Sequence, residues 1–207
     1  WRLQSKFICR GPQANSNRAY SGIAISYDGN TVFCNAQIFV RTNGAWSLQQ
    51  TLLPLDRPVA SNPGFVPYYD TANHFSACTG SALSANGNTA VVCDNYGPDT
   101  TFNLWVFTRN GSNWAQQGSR LQATHHETWR SGDVLAPPDI SISGDGNTIA
   151  LNTTSYSGWG ISVFRKIGSV WTEQTTTLLG DPQQNTAGRN VDLAFDGNSF
   201  ITATASG

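Results

Sequence analysis

The sequence predicts an all-β protein made of four copies of one antiparallel unit, and two observations carry this prediction. Charged helix formers are scarce, because the 207 residues include only two Lys and two Glu, and a chain of strands and tight turns has little use for them. One short segment also recurs four times, at intervals of about 50 to 60 residues, which is the length of a supersecondary unit. The four copies span residues 23–31, 81–89, 140–148 and 191–199.

Each copy is predicted to be a hairpin of two strands, A and B. Apolar residues alternate before an Asp-Gly or Asn-Gly pair, and a β-branched or apolar run follows it. That pair supplies the positive φ that a tight hairpin turn requires. The four turns are expected at 28–30, 86–88, 145–147 and 196–198.

A second pattern follows the first three hairpins and predicts two further strands, C and D. An apolar run that ends in Arg or Lys is followed by turn residues and then by a segment that begins with Trp. Strand C is expected at 37–41, 104–109 and 161–166, and strand D at 46–49, 114–117 and 171–174. Residues 1–4 resemble a lone strand D, and the chain ends after strands A and B of the fourth unit, near Gly207.

Four-stranded units that pack radially against their neighbours form a β-propeller, so we expect a single propeller domain over residues 1–207. An N-terminal strand D can complete the last blade and close the ring. The fourth unit lacks strand C, and three arrangements stay open. We favour a closed four-bladed ring with a three-stranded last blade; the others are a larger propeller of which this chain is a part, and an open edge that pairs with a strand of another molecule.

The repeats resemble the FG-GAP, integrin-α-like propeller family, which reads Ser-x-Asp-Gly-Asn-Thr, then Val-Phe-x-Arg, then Gly-x-Trp-x-x-Gln. The resemblance covers nearly the whole chain and implies a propeller used in extracellular binding or assembly. It does not imply bound calcium, because no Asp-x-Asp-x-Asp-Gly loop is present. The segment after strand B also departs from the Gly-Ala-Pro of the family. The matching residues are Ser26–Thr31, Ser84–Thr89, Ser143–Thr148, Asp196–Ser199, Val106–Phe107, Val163–Phe164 and the pairs Trp46/Gln49, Trp114/Gln117 and Trp171/Gln174.

Charge and cysteine usage restrict the setting of the protein. The net charge of −1 without any Lys/Arg run gives no basic surface for nucleic acid, and no apolar stretch is long enough to insert into a membrane. An even number of cysteines without a Cys-x-x-Cys pair favours disulfides in a secreted or cell-surface protein. We expect no metal and no other cofactor.

The cysteines are predicted to form two bridges. Cys78 and Cys93 lie almost opposite each other across the hairpin centred on residues 86–87, which suits a cross-strand disulfide. By elimination Cys9 would pair with Cys34, although four cysteines formally allow three connectivities. Two sequons, at Asn110 and Asn152, would make the secreted protein a glycoprotein.

In a propeller the D-to-A and B-to-C connections lie at one edge of the blades, and the tight A-to-B and C-to-D turns lie at the other. The long insertions are expected at the first edge, at Pro54–Phe75, Asp94–Thr101, Ala123–Pro138, Thr153–Trp159 and Asp181–Arg189. Aromatic rings beside Asp and Arg suit a sugar, whose apolar face stacks while its hydroxyls are hydrogen-bonded. The candidate ligand residues are Tyr68, Tyr69, Asp70, His74, Tyr96, Asp99, Trp129, Arg130, Tyr156 and Trp159.

Other residues receive structural interpretations. The turn carboxylates Asp28, Asp145 and Asp196 are explained by turn chemistry, since Asn86 takes the same position. The tryptophans at one repeat position, Trp1, Trp46, Trp114 and Trp171, are expected to pack outer strands against the neighbouring blade. The segment His125-His126-Glu127 does not suit a metal, because adjacent side chains of an extended chain point to opposite sides.

The sequence therefore predicts a non-enzymatic extracellular binding or adhesion module with no catalytic residues, carbohydrate being the favoured ligand and glycans or extracellular proteins the partners. The alternative is a structural subunit that self-associates into an extracellular filament or surface assembly. A third hypothesis, a glycoside hydrolase, would need two carboxylates close together in the central cleft.

Overall fold

A computed structural model describes residues 22–34, 36–56, 80–94, 102–123, 139–155, 158–178 and 190–203, and these contain fifteen strands. The first sheet consists of β1 (Ile23–Ile25), β2 (Thr31–Cys34), β3 (Gln37–Thr42) and β4 (Ala45–Thr51). The second consists of β5 (Gly80–Leu83), β6 (Thr89–Asp94), β7 (Asn103–Asn110), β8 (Asn113–Gln116) and β9 (Leu121–Gln122). The third consists of β10 (Ile140–Ile142), β11 (Thr148–Ser155), β12 (Gly158–Ile167) and β13 (Val170–Leu178), and a fourth unit of β14 (Asn190–Leu193) and β15 (Phe200–Ala203).

Within each sheet the strands are antiparallel and follow the chain order, so the predicted order A, B, C, D is confirmed for the first three units. One detail was not predicted. Strand D of the second sheet is interrupted, and β8 and β9 pair separately with β7. The lone strand at residues 1–4 lies outside the described residues. Among those described, no helix could cross a membrane.

The first three A-to-B turns share one hydrogen-bonding scheme, in which a serine hydroxyl takes part, whereas the fourth has Ala194 at the serine position and keeps only the bonds of the backbone and of Asp196. In the first, Ser26 Oγ accepts from the buried backbone N–H of Thr31 at 2.9 Å and donates to Asp28 Oδ1 at 2.6 Å. Asp28 Oδ1 also accepts from the backbone N–H of Asn30 at 2.9 Å. The bond from Ser26, with those from Asn30, lowers the pKa of Asp28 below its ordinary value. Turn chemistry thus explains the repeated carboxylate, as predicted.

Successive side chains of a strand point to opposite faces of a sheet, so the inner strands contribute to two different apolar clusters. Phe33 and Ile38 of the first sheet pack with Val92, Trp105 and Phe107 of the second. The other face of the second sheet packs on the third in the same way, and the third packs on β14. The core is therefore a series of layers between consecutive units.

The Trp/Gln pattern of strand D joins neighbouring sheets, which confirms the packing predicted for Trp114 and Trp171. Trp114 is buried, and its Nε1–H donates to Gln49 Oε1 of the first sheet at 3.0 Å. Gln50 Oε1 accepts from the Trp114 backbone N–H at 2.9 Å. Trp171 repeats the contact one unit further on, its Nε1–H donating to Gln117 Oε1 at 3.3 Å. Trp1 lies outside the described residues.

The cysteine prediction needs a correction. Cys93 is a buried thiol, so the predicted bridge between Cys78 and Cys93 is wrong. The register explains why, because Gly80 is the residue opposite Cys93 in the β5–β6 pair. Cys34 is disulfide-bonded, while Cys9 and Cys78 lie outside the described residues, and the predicted pairing of Cys9 with Cys34 stays a prediction.

Candidate functional site

The two edges of the sheets differ, as the sequence predicts. At one, the tight-turn edge, every described connection is short, and glycines with positive φ close the C-to-D turns, as at Gly44, Gly111 and Gly168. The other edge, which we call the long-connection edge, is where the strands end that precede the long connections. These connections are residues 52–79, 95–102, 123–139 and 179–189. Long connections on one side of a rigid scaffold are the usual place for ligand binding.

One of the predicted insertions is wrong. Thr153, Thr154 and Ser155 continue β11, and they pair with Gly160, Trp159 and Gly158 of β12. Only residues 156–157 remain between the two strands, so the third B-to-C connection is two residues long and not a long insertion. The Thr, Tyr and Trp residues of this segment favour strands, a signal that sequence analysis could have used.

Eight of the ten candidate ligand residues fall in the long connections, and the other two, Tyr156 and Trp159, belong to the β11–β12 segment. Trp159 is placed by its backbone in β12, opposite Thr154. The others lie outside the described residues: Tyr68, Tyr69, Asp70, His74, Tyr96, Asp99, Trp129, Arg130 and Tyr156. Of the two sequons, Asn110 is exposed at the tight-turn edge, whereas Asn152 is 3% exposed. A glycan needs a solvent-exposed amide, so burial argues against modification of Asn152.

Asp56, which sequence analysis did not single out, anchors the first long connection to the second sheet. Its Oδ1 accepts from Trp105 Nε1 and from Gln116 Nε2, both at 2.9 Å, and its Oδ2 accepts from the backbone N–H of Arg120 at 2.7 Å. Gln116 Oε1 in turn accepts from the backbone N–H of Leu55 at 2.8 Å. The start of the connection is therefore held on a rigid strand pair.

The charge of Asp56 is stabilised where it lies. Desolvation by burial raises its pKa, but the hydrogen bonds from Arg120, Gln116 and Trp105 outweigh this, and the pKa lies below the ordinary value of 3.8. A carboxylate whose oxygens are already occupied by three donors suits anchoring better than proton transfer. We therefore interpret Asp56 as a structural residue.

A second polar group, also missed, joins the third and fourth units. Asp139 Oδ2 accepts from the backbone N–H of Val191 at 2.8 Å, and Ser141 Oγ donates to Asp192 Oδ1 at 3.0 Å. Desolvation raises the pKa of Asp139, with a smaller contribution from the charge of Asp192. Asp192 takes a strand-A position that is Ala24 or Ala82 in other units, and that exchange of apolar for charged could have revealed the group.

The charge of Asp192 acts on Asp139, which raises the question whether these two carboxylates could form the pair that a hydrolase would need. Each carboxylate accepts a hydrogen bond from the neighbouring unit, Asp139 from Val191 and Asp192 from Ser141. We therefore interpret both as residues that connect the third and fourth units. Within the described part of the chain, no group of three or more His, Cys, Asp or Glu could hold a metal ion.

No protein-family model and no curated protein matches this sequence. Solved structures match its fold. Hydrazine synthase of Kuenenia stuttgartiensis superposes with a TM-score of 0.51 at 15% identity, over 95% of this chain and 45% of that chain. A protein of Bacteroides uniformis described as a 6-phosphogluconolactonase superposes with a TM-score of 0.51 at 18% identity, over 94% of this chain and 50% of that chain.

At these identities the likeness concerns the fold alone. The fold is all-β, built from several antiparallel sheets, and its neighbours include propeller-type folds. The chain spans about half the length of these two structures. Neither comparison bears on the FG-GAP resemblance, which stays a prediction.

Proposed function

We propose that this chain is a non-enzymatic, extracellular binding and adhesion module that binds carbohydrate at its long-connection edge. The observation that carries the proposal is the difference between the two edges. The tight-turn edge repeats one hydrogen-bonded turn in each unit, whereas the variable and aromatic-rich segments all leave from the opposite edge. Rigid sheets that present variable loops on one side form a general binding architecture.

The proposed arrangement is a row of propeller blades of the FG-GAP-like type, each of the four units forming one blade. The layered packing of consecutive sheets supports it. A secreted location is supported by the disulfide at Cys34, and a glycan at exposed Asn110 is consistent with it.

Carbohydrate is the proposed ligand class because of the residues in the connections. The connections contain Tyr and Trp, including one Tyr-Tyr pair, close in sequence to Asp, His and Arg. The aromatic rings offer stacking surfaces, and the polar side chains offer hydrogen-bond donors and acceptors for hydroxyl groups. The anchoring of the first connection by Asp56 supports the proposal, since a loop whose start is held in place loses less entropy when it binds.

A glycan array probed with the full chain tests the proposal. We expect binding to a restricted set of glycans, and we expect the double variant Trp129→Ala/Arg130→Ala to weaken it by more than about tenfold. The control is Val170→Ala, which removes an exposed apolar side chain at the tight-turn edge and should leave binding unchanged. A folded parent chain that binds no glycan, or equal losses in the two variants, would refute the proposal.

A further inference from the structure

The interfaces between consecutive units follow one rule. The strand-A residues one and three positions before the turn-opening residue (Ser26, Ser84, Ser143 or Ala194) face the preceding sheet. In each later unit one of these positions is buried, as Leu83, Ile140 and Val191, and the other is half-buried, as Ser81, Ile142 and Leu193. In the first sheet the same positions are Ile25 and Ile23, which are 58% and 68% exposed.

The opposite end of the row shows the complementary exposure. The residue two positions after the Thr that begins strand B faces the following sheet, and it is fully buried in the first three units, as Phe33, Val91 and Ala150. The corresponding side chain of the fourth unit is Ile201, which is 73% exposed. One end of the row thus exposes the surface that elsewhere meets a preceding sheet, and the other end exposes the surface that meets a following one.

The turn glycines repeat this relationship. A Cβ at Gly197 would lie 2.7 Å from Thr148 Oγ1 of the preceding unit, and a Cβ at Gly87 would lie 3.2 Å from Thr31 Oγ1. At Gly29 the nearest atom is Arg41 Nη2 at 3.7 Å. In the fourth unit Ser199 takes the position of Thr31, Thr89 and Thr148. Its side chain is also small and carries a hydroxyl, so it is suited to the same contact with a turn glycine.

Backbone hydrogen bonds connect the turns in the same direction. The N–H of Tyr27 donates to the carbonyl of Ala85 at 2.8 Å, and the N–H of Gly144 donates to that of Phe195 at 2.8 Å. Tyr27 and Phe195 take the same turn position at the two ends of the row, and both are strongly exposed. On the face of the first sheet that carries Ile25, Val32 of β2 and Phe39 of β3 are already buried, so the exposed part is limited to β1 and its turn.

We propose that two copies of this chain associate head to tail, the fourth unit of one copy docking on β1 of the other. A second copy is the occupant that the molecule itself specifies, because its fourth unit presents an apolar side chain, a small hydroxyl side chain and a turn N–H at the positions that the internal interfaces use. Such a contact is heterologous, so it closes into a ring of two copies or continues into a filament.

Sedimentation velocity and light scattering on the full chain test this, over about 1 to 100 µM. We expect a mass of two or more times 22.3 kDa at the upper concentrations. Ile25→Asp and Ile201→Asp each place a charge at an exposed end position and should weaken association by more than about tenfold. Val170→Asp is the control, because Val170 is equally exposed but lies in β13 of the third sheet and not in the first or the fourth unit.

Mixing the two end variants separates this contact from others. Each keeps one intact end, so an equimolar mixture should form a one-to-one complex although neither variant associates alone. Gly29→Asn should also weaken association, whereas Gly44→Asn, at a positive-φ glycine with no atom within 4 Å of its Cβ position, should not. A chain that stays monomeric at every concentration refutes the proposal. The proposal is also refuted if Ile201→Asp associates like the parent chain while Ile25→Asp does not associate. The contact would then join the first sheets of two copies.

Discussion

Thr89 of the second sheet lies directly against Gly146 in the turn of the third: a Cβ at Gly146 would come within 2.5 Å of Thr89 Oγ1 and 2.9 Å of its Cβ. Gly146 also has a φ of +76°, a conformation that L side chains rarely adopt. The glycine therefore does two things, since it allows the tight turn and lets two units approach closely.

Gly146→Ala should lower the free energy of unfolding by about 2 to 5 kcal/mol, combining about 1 to 2 for the left-handed backbone with about 1 to 3 for overpacking against Thr89. Urea unfolding measures the change. Gly111→Ala is the control, because Gly111 has a φ of +63° with no atom within 4 Å of its Cβ position, and it should show the backbone part alone. Equal losses in the two variants would show that the contact with Thr89 is not strained.

Ser84→Ala should destabilise the second unit by about 1 to 3 kcal/mol, because the buried backbone N–H of Thr89 donates to Ser84 Oγ at 2.9 Å and would lose that acceptor. The fourth unit offers the reverse experiment. Ala194 takes the position of the turn serine, and Ala194→Ser should stabilise the protein by about 0.5 to 1.5 kcal/mol. Thermal and urea unfolding of both variants check the prediction. A neutral Ser84→Ala would contradict the assigned role of the hydroxyl.

Asp56→Asn should destabilise the protein near neutral pH and much less in acid. The folded-state pKa of Asp56 lies below 3.8, so the ionised carboxylate stabilises the fold above the unfolded-state pKa. That contribution disappears as the pH falls through the folded-state pKa. The difference between parent and variant, followed by urea unfolding from about pH 7 to about pH 2, should therefore shrink on acidification. A difference that stays constant with pH would mean that charge has no part in the anchoring.

Cys34→Ala should lower the free energy of unfolding by about 2 to 4 kcal/mol through loss of its disulfide. Reductant should lower the melting temperature of the parent chain and have little further effect on the variant. Thermal unfolding with and without reductant tests this. The same shift with reductant in both chains would place the important disulfide elsewhere.

Much of the described fold follows from local sequence. The Ser-x-Asp-Gly-Asn-Thr segments specify their own turns, because the hydroxyl, carboxylate and glycine that close each turn lie within six residues. Strands C and D were found because their patterns recur. Asp56 could not be found in this way, since its partners Trp105, Gln116 and Arg120 are distant in sequence and each is ordinary by itself. Of the candidate ligand residues, Trp159 is the one that belongs to the described part of the chain, and its position is known from its backbone pairing alone.

By itself the sequence determined the hairpins, their order in each sheet and the edge from which the long connections leave, because these depend on turn chemistry and on alternation between near neighbours. The tertiary structure decided what lies against each face. Ile25 and Leu83 take the same position in the same pattern, yet Ile25 is exposed and Leu83 is buried, because only Leu83 packs against another described sheet. The register of β5 and β6, which sets Gly80 opposite Cys93, was likewise settled by pairing between strands.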